Sequence, residues 1–263
     1  MNTPIIKTRH QVLTTLASTA LAVCSHPALA DGQAEFAQQR GWASPIQESA
    51  HGRFLVDRLE YAFDDNEDTV NWEVMGWYGG DYNRLWLEGE GEDTASGGDG
   101  GAIENLDLLY GRLIAPYWEV QAGIGYQEEY GPGPDQDRTS AVVGLQGLAP
   151  YWFEVDTNLR VSEDGDASAD FEAEYDLLLT QRWVLQPRLE TAYAFDEVEE
   201  FGVGKGLTNV KLGLRLRYEI RREFAPYVGI HWSKKLGDTA DLAEAENEDT
   251  ERGSLVAGVR MWF

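Results

Sequence analysis

The chain is poor in the residues that most often hold soft metals or staple a fold. Its 263 residues include one cysteine, three methionines and four histidines. Cys24 lies in an apolar stretch near the N-terminus, so the rest of the chain forms no disulfide and offers no thiolate. Long hydrophobic runs are missing too. Mean hydropathy is -0.41, and no segment approaches the roughly 20 apolar residues that a membrane-spanning helix needs. Positive charge is scarce: 21 Lys and Arg stand against 46 Asp and Glu, a formal net charge of -25. That balance argues against nucleic acid as a partner and is compatible with binding or screening cations.

What is present is aromatic and glycine-rich: 9 Trp, 12 Tyr and 28 Gly. The N-terminus carries Lys7 and Arg9, an apolar stretch from Val12 to Cys24, and a small-x-small close at Ala28-Leu29-Ala30. This is the pattern of a cleaved secretory signal. The expected organisation is a signal peptide at 1–30, a short polar periplasmic extension at 31–50, and one domain at 51–263. Export, aromatic enrichment and a weak hydropathy signal together point to the outer membrane.

From His51 onward, segments alternate with period two, the signature of strands. Tyr151, Phe153, Val155, Thr157, Leu159 and Val161 share one face, opposite Trp152, Glu154, Asp156, Asn158 and Arg160. Val210, Leu212, Leu214, Leu216, Tyr218 and Ile220 lie opposite Lys211, Gly213, Arg215, Arg217 and Glu219. The closing run "GSLVAGVRMWF" places Leu255, Ala257, Val259, Met261 and Phe263 on one wholly apolar face. Apolar outside and charged inside is the inversion expected of a barrel in lipid. The turns agree. Ala115-Pro116-Tyr117, Ala149-Pro150-Tyr151 and Ala225-Pro226-Tyr227 read as tight connections, with "TQRW" at Thr180–Trp183 between the last two. Longer, acidic, Gly-rich connections such as "EDGDAS" and "GDTADLAEAENEDTER" alternate with them. The fold class is therefore all-β: a transmembrane, antiparallel, up-and-down β-barrel of about 12 strands, in contact with outer-membrane lipid.

Two stretches, "DRLEYAF" at Asp57–Phe63 and "GWYGGDYNRLWLEGEGE" at Gly76–Glu92, resemble the start of the barrel of the outer-membrane copper resistance protein B family. "GLAPYWFEV", "YDLLLTQRWVLQPRLE" and "GLRLRYEIRREFAPYVGIHW" continue the resemblance to the closing "AGVRMWF". It implies an outer-membrane copper resistance protein that binds copper ions or assists their export or sequestration, alongside periplasmic copper-handling proteins, and that is not an enzyme. In one respect the chain departs from the family. Many members carry a Met- and His-rich segment before the barrel, and here it is reduced to "DGQAEFAQQRGWASPIQESA", with neither residue type.

Copper ligands must then come from the barrel. Thioether suits Cu(I), while imidazole and carboxylate suit Cu(II). After the signal the chain offers Met75, Met261, His51 and His231. Met261 sits in the lipid-facing register, whereas the phases of Met75 and His231 point inward and His51 stands at the periplasmic mouth. The candidate metal ligands are His51, Met75 and His231. Strand spacing puts Met75 and His231 roughly 14 Å apart along the wall. Glu172, Glu174, Asp176, Glu190 and Glu219 share the lumen with Arg188, Arg215 and Arg217, which predicts an interior salt-bridge network with Asp176 and Arg215 coupled. Two other classes share these features. One is a general porin-like channel without metal specificity; the other is an outer-membrane hydrolase using His231 and Ser233, for which no motif speaks.

Overall fold

The computed structural model describes residues 50–64, 67–95, 100–131, 136–246 and 248–263. The expected signal peptide at 1–30 and all but the last residue of the 31–50 extension lie outside the described residues. The rest is a closed antiparallel barrel. Its strands are β1 (His51–Phe63), β2 (Thr69–Gly79), β3 (Asn83–Thr94), β4 (Gly101–Ala115), β5 (Trp118–Tyr130), β6 (Gln136–Ala149) and β7 (Phe153–Ser162). They continue with β8 (Ala167–Glu174), β9 (Leu177–Leu178), β10 (Trp183–Ala194), β11 (Gly206–Tyr218), β12 (Phe224–Lys235) and β13 (Glu251–Trp262). Apart from β8 and β9, which both pair with β10, each pairs with the next, and β1 pairs with β13 to close the ring. At the seam Phe263 and Phe54 exchange backbone hydrogen bonds of 2.8 and 3.1 Å. Closure leaves no open edge, which lipid could not satisfy.

Because β8 and β9 both pair with β10, they form one stave, and the ring has twelve. Pro187, inside β10, explains the break. Its carbonyl accepts the Tyr175 N–H at 3.2 Å. Its own nitrogen faces the same stave and has no hydrogen to return, so the ladder lapses between Glu174 and Leu177.

The outer face is apolar and exposed: Leu59, Ile124, Leu159, Val161, Leu212, Leu214, Val228, Ile230 and Leu255 all point away from the lumen. So large an apolar surface belongs to a protein whose solvent is lipid. Among the described residues no helix is long and apolar enough to cross a membrane; the strands cross instead. One end carries the connections after β2, β4, β6, β9 and β11. The other carries the remaining connections and the one α-helix among the described residues, α1 (Gly237–Glu246).

Three local readings change. Ala225-Pro226-Tyr227 is not a turn but lies inside β12, where Tyr227 points inward and donates to Glu60 at 3.0 Å. The tight turn precedes it, with Arg221 and Phe224 bonding each other at 3.2 Å. "EDGDAS" is a tight connection rather than a long one: Gly165 takes φ 94° and Ser162 Oγ accepts the Asp166 N–H at 3.1 Å. The connection between β12 and β13 is helical in part. Thr239 of α1 is buried and accepts the Gly204 N–H at 2.9 Å, tying that connection to the one between β10 and β11.

Candidate functional site

The lumen is a cavity of about 1480 Å³. Its lining runs from Arg53 and Trp262 at one mouth to Arg138 and Phe201 at the other, where the guanidinium lies 4.6 Å from the ring centre. Alternation alone would give each strand one inward set. In β1 a bulge between Val56 and Arg58 adds a residue, so Asp57 and Arg58 are both buried and Leu59 is exposed. This doubles the charge that β1 delivers to one height of the barrel.

Arg58 meets three carboxylates: Glu73 at 2.5 Å, Glu90 at 2.6 Å and Glu190 at 3.3 Å. Arg188 meets Glu172 at 2.6 Å, Glu190 at 2.7 Å and Glu73 at 2.8 Å. These pairs reach across the lumen rather than along its wall. Arg188 on β10 and Glu73 on β2 are five staves apart, and Lys211 on β11 meets Glu104 on β4, six staves away, at 2.8 Å. Around this centre Arg215 holds Glu60 at 2.8 Å, Arg217 holds Asp176 at 2.6 Å and Arg260 holds Asp57 at 2.6 Å. The expected salt-bridge network is present, with a different wiring: Asp176 belongs to Arg217 and Arg260, not to Arg215.

The facing wall, β3 to β7, is built differently. Trp86, Leu109 and Val142 form a buried apolar cluster, with Met75 and Trp77 of β2 packed on it. Trp86 also donates to Glu119. One arginine serves the middle of this wall. Arg160 gives Nη2 to Asp107 at 2.8 Å and Nε to Asp170 at 2.9 Å. Gly125 makes room for that pair, since a Cβ there would collide with Asp107 and lie 3.0 Å from Arg160 Nη1.

The three ligands expected from sequence do not converge. His51 is exposed at the barrel rim, opposite Gly79. Met75 lines the lumen against the apolar cluster, beside its cross-strand partner Glu88. His231 pairs across β11 with Gly213, and the charges of Lys211, Arg215 and Arg58, with Glu190 as the acid among them, act on it. Met75 and His231 are farther apart than the roughly 14 Å that strand spacing alone gives. His231 pairs with Ser254, at the height of Asp64, whereas Met75 pairs with Leu55. That offset along β1 is on the order of 25 Å and comes from the shear that closes a barrel. Among the described residues no group of three or more His, Cys, Asp and Glu side chains is gathered to hold a metal.

A family model, "Copper resistance protein B precursor (CopB)", matches residues 50–263. The chain belongs to the copper resistance protein B family. It is 43% identical over 235 residues to copper resistance protein B of Escherichia coli, covering 89% of this chain and 76% of that protein. It is also 39% identical over 212 residues to the copper resistance protein B homolog of Pseudomonas syringae pv. tomato, covering 80% and 69%. Among solved structures the NanC porin superposes with a TM-score of 0.52 at 10% identity, over 78% of this chain and 98% of that one. That likeness concerns the fold alone. A CopB-family chain with a closed barrel and a lipid-facing apolar band is an outer-membrane protein.

Proposed function

We propose that this barrel binds copper ions in its lumen as part of copper resistance, exchanging them with periplasmic copper-handling proteins at the rim where His51 stands. Copper is cargo in this reading, and no catalytic step is involved. The observation that carries it is membership of the copper resistance protein B family along the whole barrel. A lumen with more carboxylates than cations supports it, because such a surface attracts metal ions. Of the three sequence-derived ligands, Met75 is favoured by its surroundings; the cations around His231 oppose a further positive charge there.

A general channel fits less well. The ion pairs Lys211–Glu104 and Arg188–Glu73 cross the lumen and narrow it. The reading is tested in cells lacking the endogenous protein. The wild-type chain should restore growth in copper, and the purified barrel in planar bilayers should conduct far less than an open porin. Restored growth by an unrelated porin of equal abundance would overturn the copper reading.

A further inference from the structure

The mouth of the lumen opposite His51 is spanned by the connection between β10 and β11. This connection carries Phe201, whose ring centre lies 4.6 Å from the guanidinium of Arg138 on β6, three staves from β10. Phe201, Val203 and Arg138 all line the lumen, so the connection leans inward over β7 and β8. Arg138 is itself held. Its Nε and Nη2 donate to Gln127 Oε1 on β5 at 3.1 and 2.7 Å. Gln127 Nε2 donates to the Glu104 carbonyl on β4 at 2.9 Å, and the Glu104 carboxylate takes Lys211 of β11 at 2.8 Å. Lys211 stands on the strand that the connection feeds. The contacts thus run from the connection to β6, β5 and β4 and back across the lumen to β11, closing a bar over this mouth.

The two ends of the connection are fixed and its middle is not. At one end the Phe195 N–H donates to the Ala167 carbonyl at 2.9 Å. At the other the Gly204 N–H donates to Thr239 Oγ1 at 2.9 Å, and a Cβ on Gly204 would fall 2.3 Å from the Thr239 nitrogen. Between them the backbone bonds to itself. Val198 and Val203 exchange hydrogen bonds of 2.8 and 3.1 Å, and the Phe201 N–H donates to the Val198 carbonyl at 3.1 Å. Beneath this turn lies a chamber of about 20 Å³, lined by Val198 and Val203 and by Ser140, Ser162 and Ser168 of the wall. It has room for about one water, and valines over serines gain little by closing on them. Gly202, at φ 59°, sits between the pinned Gly204 and Phe201, where a hinge is needed. What fastens the turn to the opposite staves is the ring of Phe201 on Arg138.

We propose that this turn is a lid on the lumen, latched by Phe201 on Arg138 and hinged at Gly202, and that its release admits small cations. The neighbouring connections "EDGDAS" and "GDTADLAEAENEDTER" are acidic, which selects cations over anions at this mouth. The lid does not depend on the copper reading; that copper is among the ions it admits rests on that reading.

The test uses the full chain in planar bilayers, with sodium carrying the current. Wild type should conduct in brief openings. Phe201→Ala and Arg138→Met should each raise the open fraction about tenfold, as loss of one cation–π contact allows. The double variant should open no more than either alone, because both break one latch, and Phe201→Tyr, which keeps the ring, should match the wild type. A lock supplies the converse. The chain with Cys24→Ser, Arg138→Cys and Phe201→Cys should fall silent when bridged by a reducible bismaleimide and conduct again on reduction. Equal open fractions in wild type and Phe201→Ala overturn the lid, as does a bridged chain that still conducts or a chain silent in every variant. Vesicles holding a copper-sensitive dye separate lid from cargo. Faster Cu²⁺ entry with Phe201→Ala supports both. Raised sodium current with unchanged Cu²⁺ entry keeps the lid and removes copper from what it admits. Unchanged current beside Cu²⁺ entry at the wild-type rate removes the lid and leaves the copper reading standing.

Discussion

The two walls of the lumen solve the problem of buried charge in opposite ways. On β1 and β10–β13, Arg58, Arg188, Lys211, Arg215, Arg217 and Arg260 each meet at least one carboxylate, several of them supplied from across the ring. In the middle of β3–β7 one arginine, Arg160, stands near Asp107 and, from β8, Asp170, over a floor of Trp86, Leu109 and Val142. A buried ion pair is retained only where both partners are satisfied, because each charge out of water costs several kcal/mol (roughly) by itself. The first wall is therefore structural, a set of braces holding opposite staves together. The second has acid to spare. The difference teaches that the lumen is not uniformly acidic. Its ion-pair braces are concentrated on one side.

The sharpest way to break this comparison is to remove a brace. Arg188→Met leaves Glu73, Glu172 and Glu190 without one of their cations and should destabilise the barrel by about 3–5 kcal/mol. The midpoint of urea unfolding in lipid vesicles measures it. On the other wall, Gly125→Ala pushes against the Asp107–Arg160 pair and should cost about 1–3 kcal/mol, as overpacking does. Wiring is read by double-mutant cycles. Asp176→Asn with Arg217→Met should couple by about 0.5–3 kcal/mol, whereas Asp176→Asn with Arg215→Met should add within about 0.5 kcal/mol. The smallest effect is expected at the broken stave. Pro187→Ala restores an N–H facing Tyr175 and should change stability by less than about 1 kcal/mol while slowing amide exchange between β8 and β10.

Much of the barrel was legible in the sequence. Period-two alternation marked the inward set Glu172, Glu174, Asp176, Arg188, Arg215 and Arg217, all of which do face the lumen or its ion pairs. The strand number followed from segment spacing, and the inward phase of Met75 from its neighbours. Pairing across the ring was not legible, because it depends on shear and tilt, which no local pattern encodes. Alternation thus leaves Asp176 to couple with Arg215, where the barrel pairs it with Arg217, and carries no height difference between Met75 and His231. The Asp57–Arg58 bulge hid for a related reason. Strict alternation sends Asp57 outward with Leu59, and only one inserted residue brings it back beside Arg58. A signal existed for Gly125 and Gly144 as inward glycines on charged strands, but it becomes readable only when their cross-strand partners are known.

The seam between β1 and β13 bears on how the barrel comes together. Every other pairing in the ring joins staves that follow one another along the chain, so those hairpins form from local segments. The seam joins Phe54 to Phe263 and Phe63 to Leu255, the most distant partners available. Loop-closure entropy makes such contacts late and slow. Until they form, the nascent sheet is a curved ribbon with two unpaired margins, and either margin is a template for another strand. The rate of assembly is then governed by one zipper of backbone hydrogen bonds. Weakening the lumen braces would slow it only so far as they help bring β1 and β13 within reach.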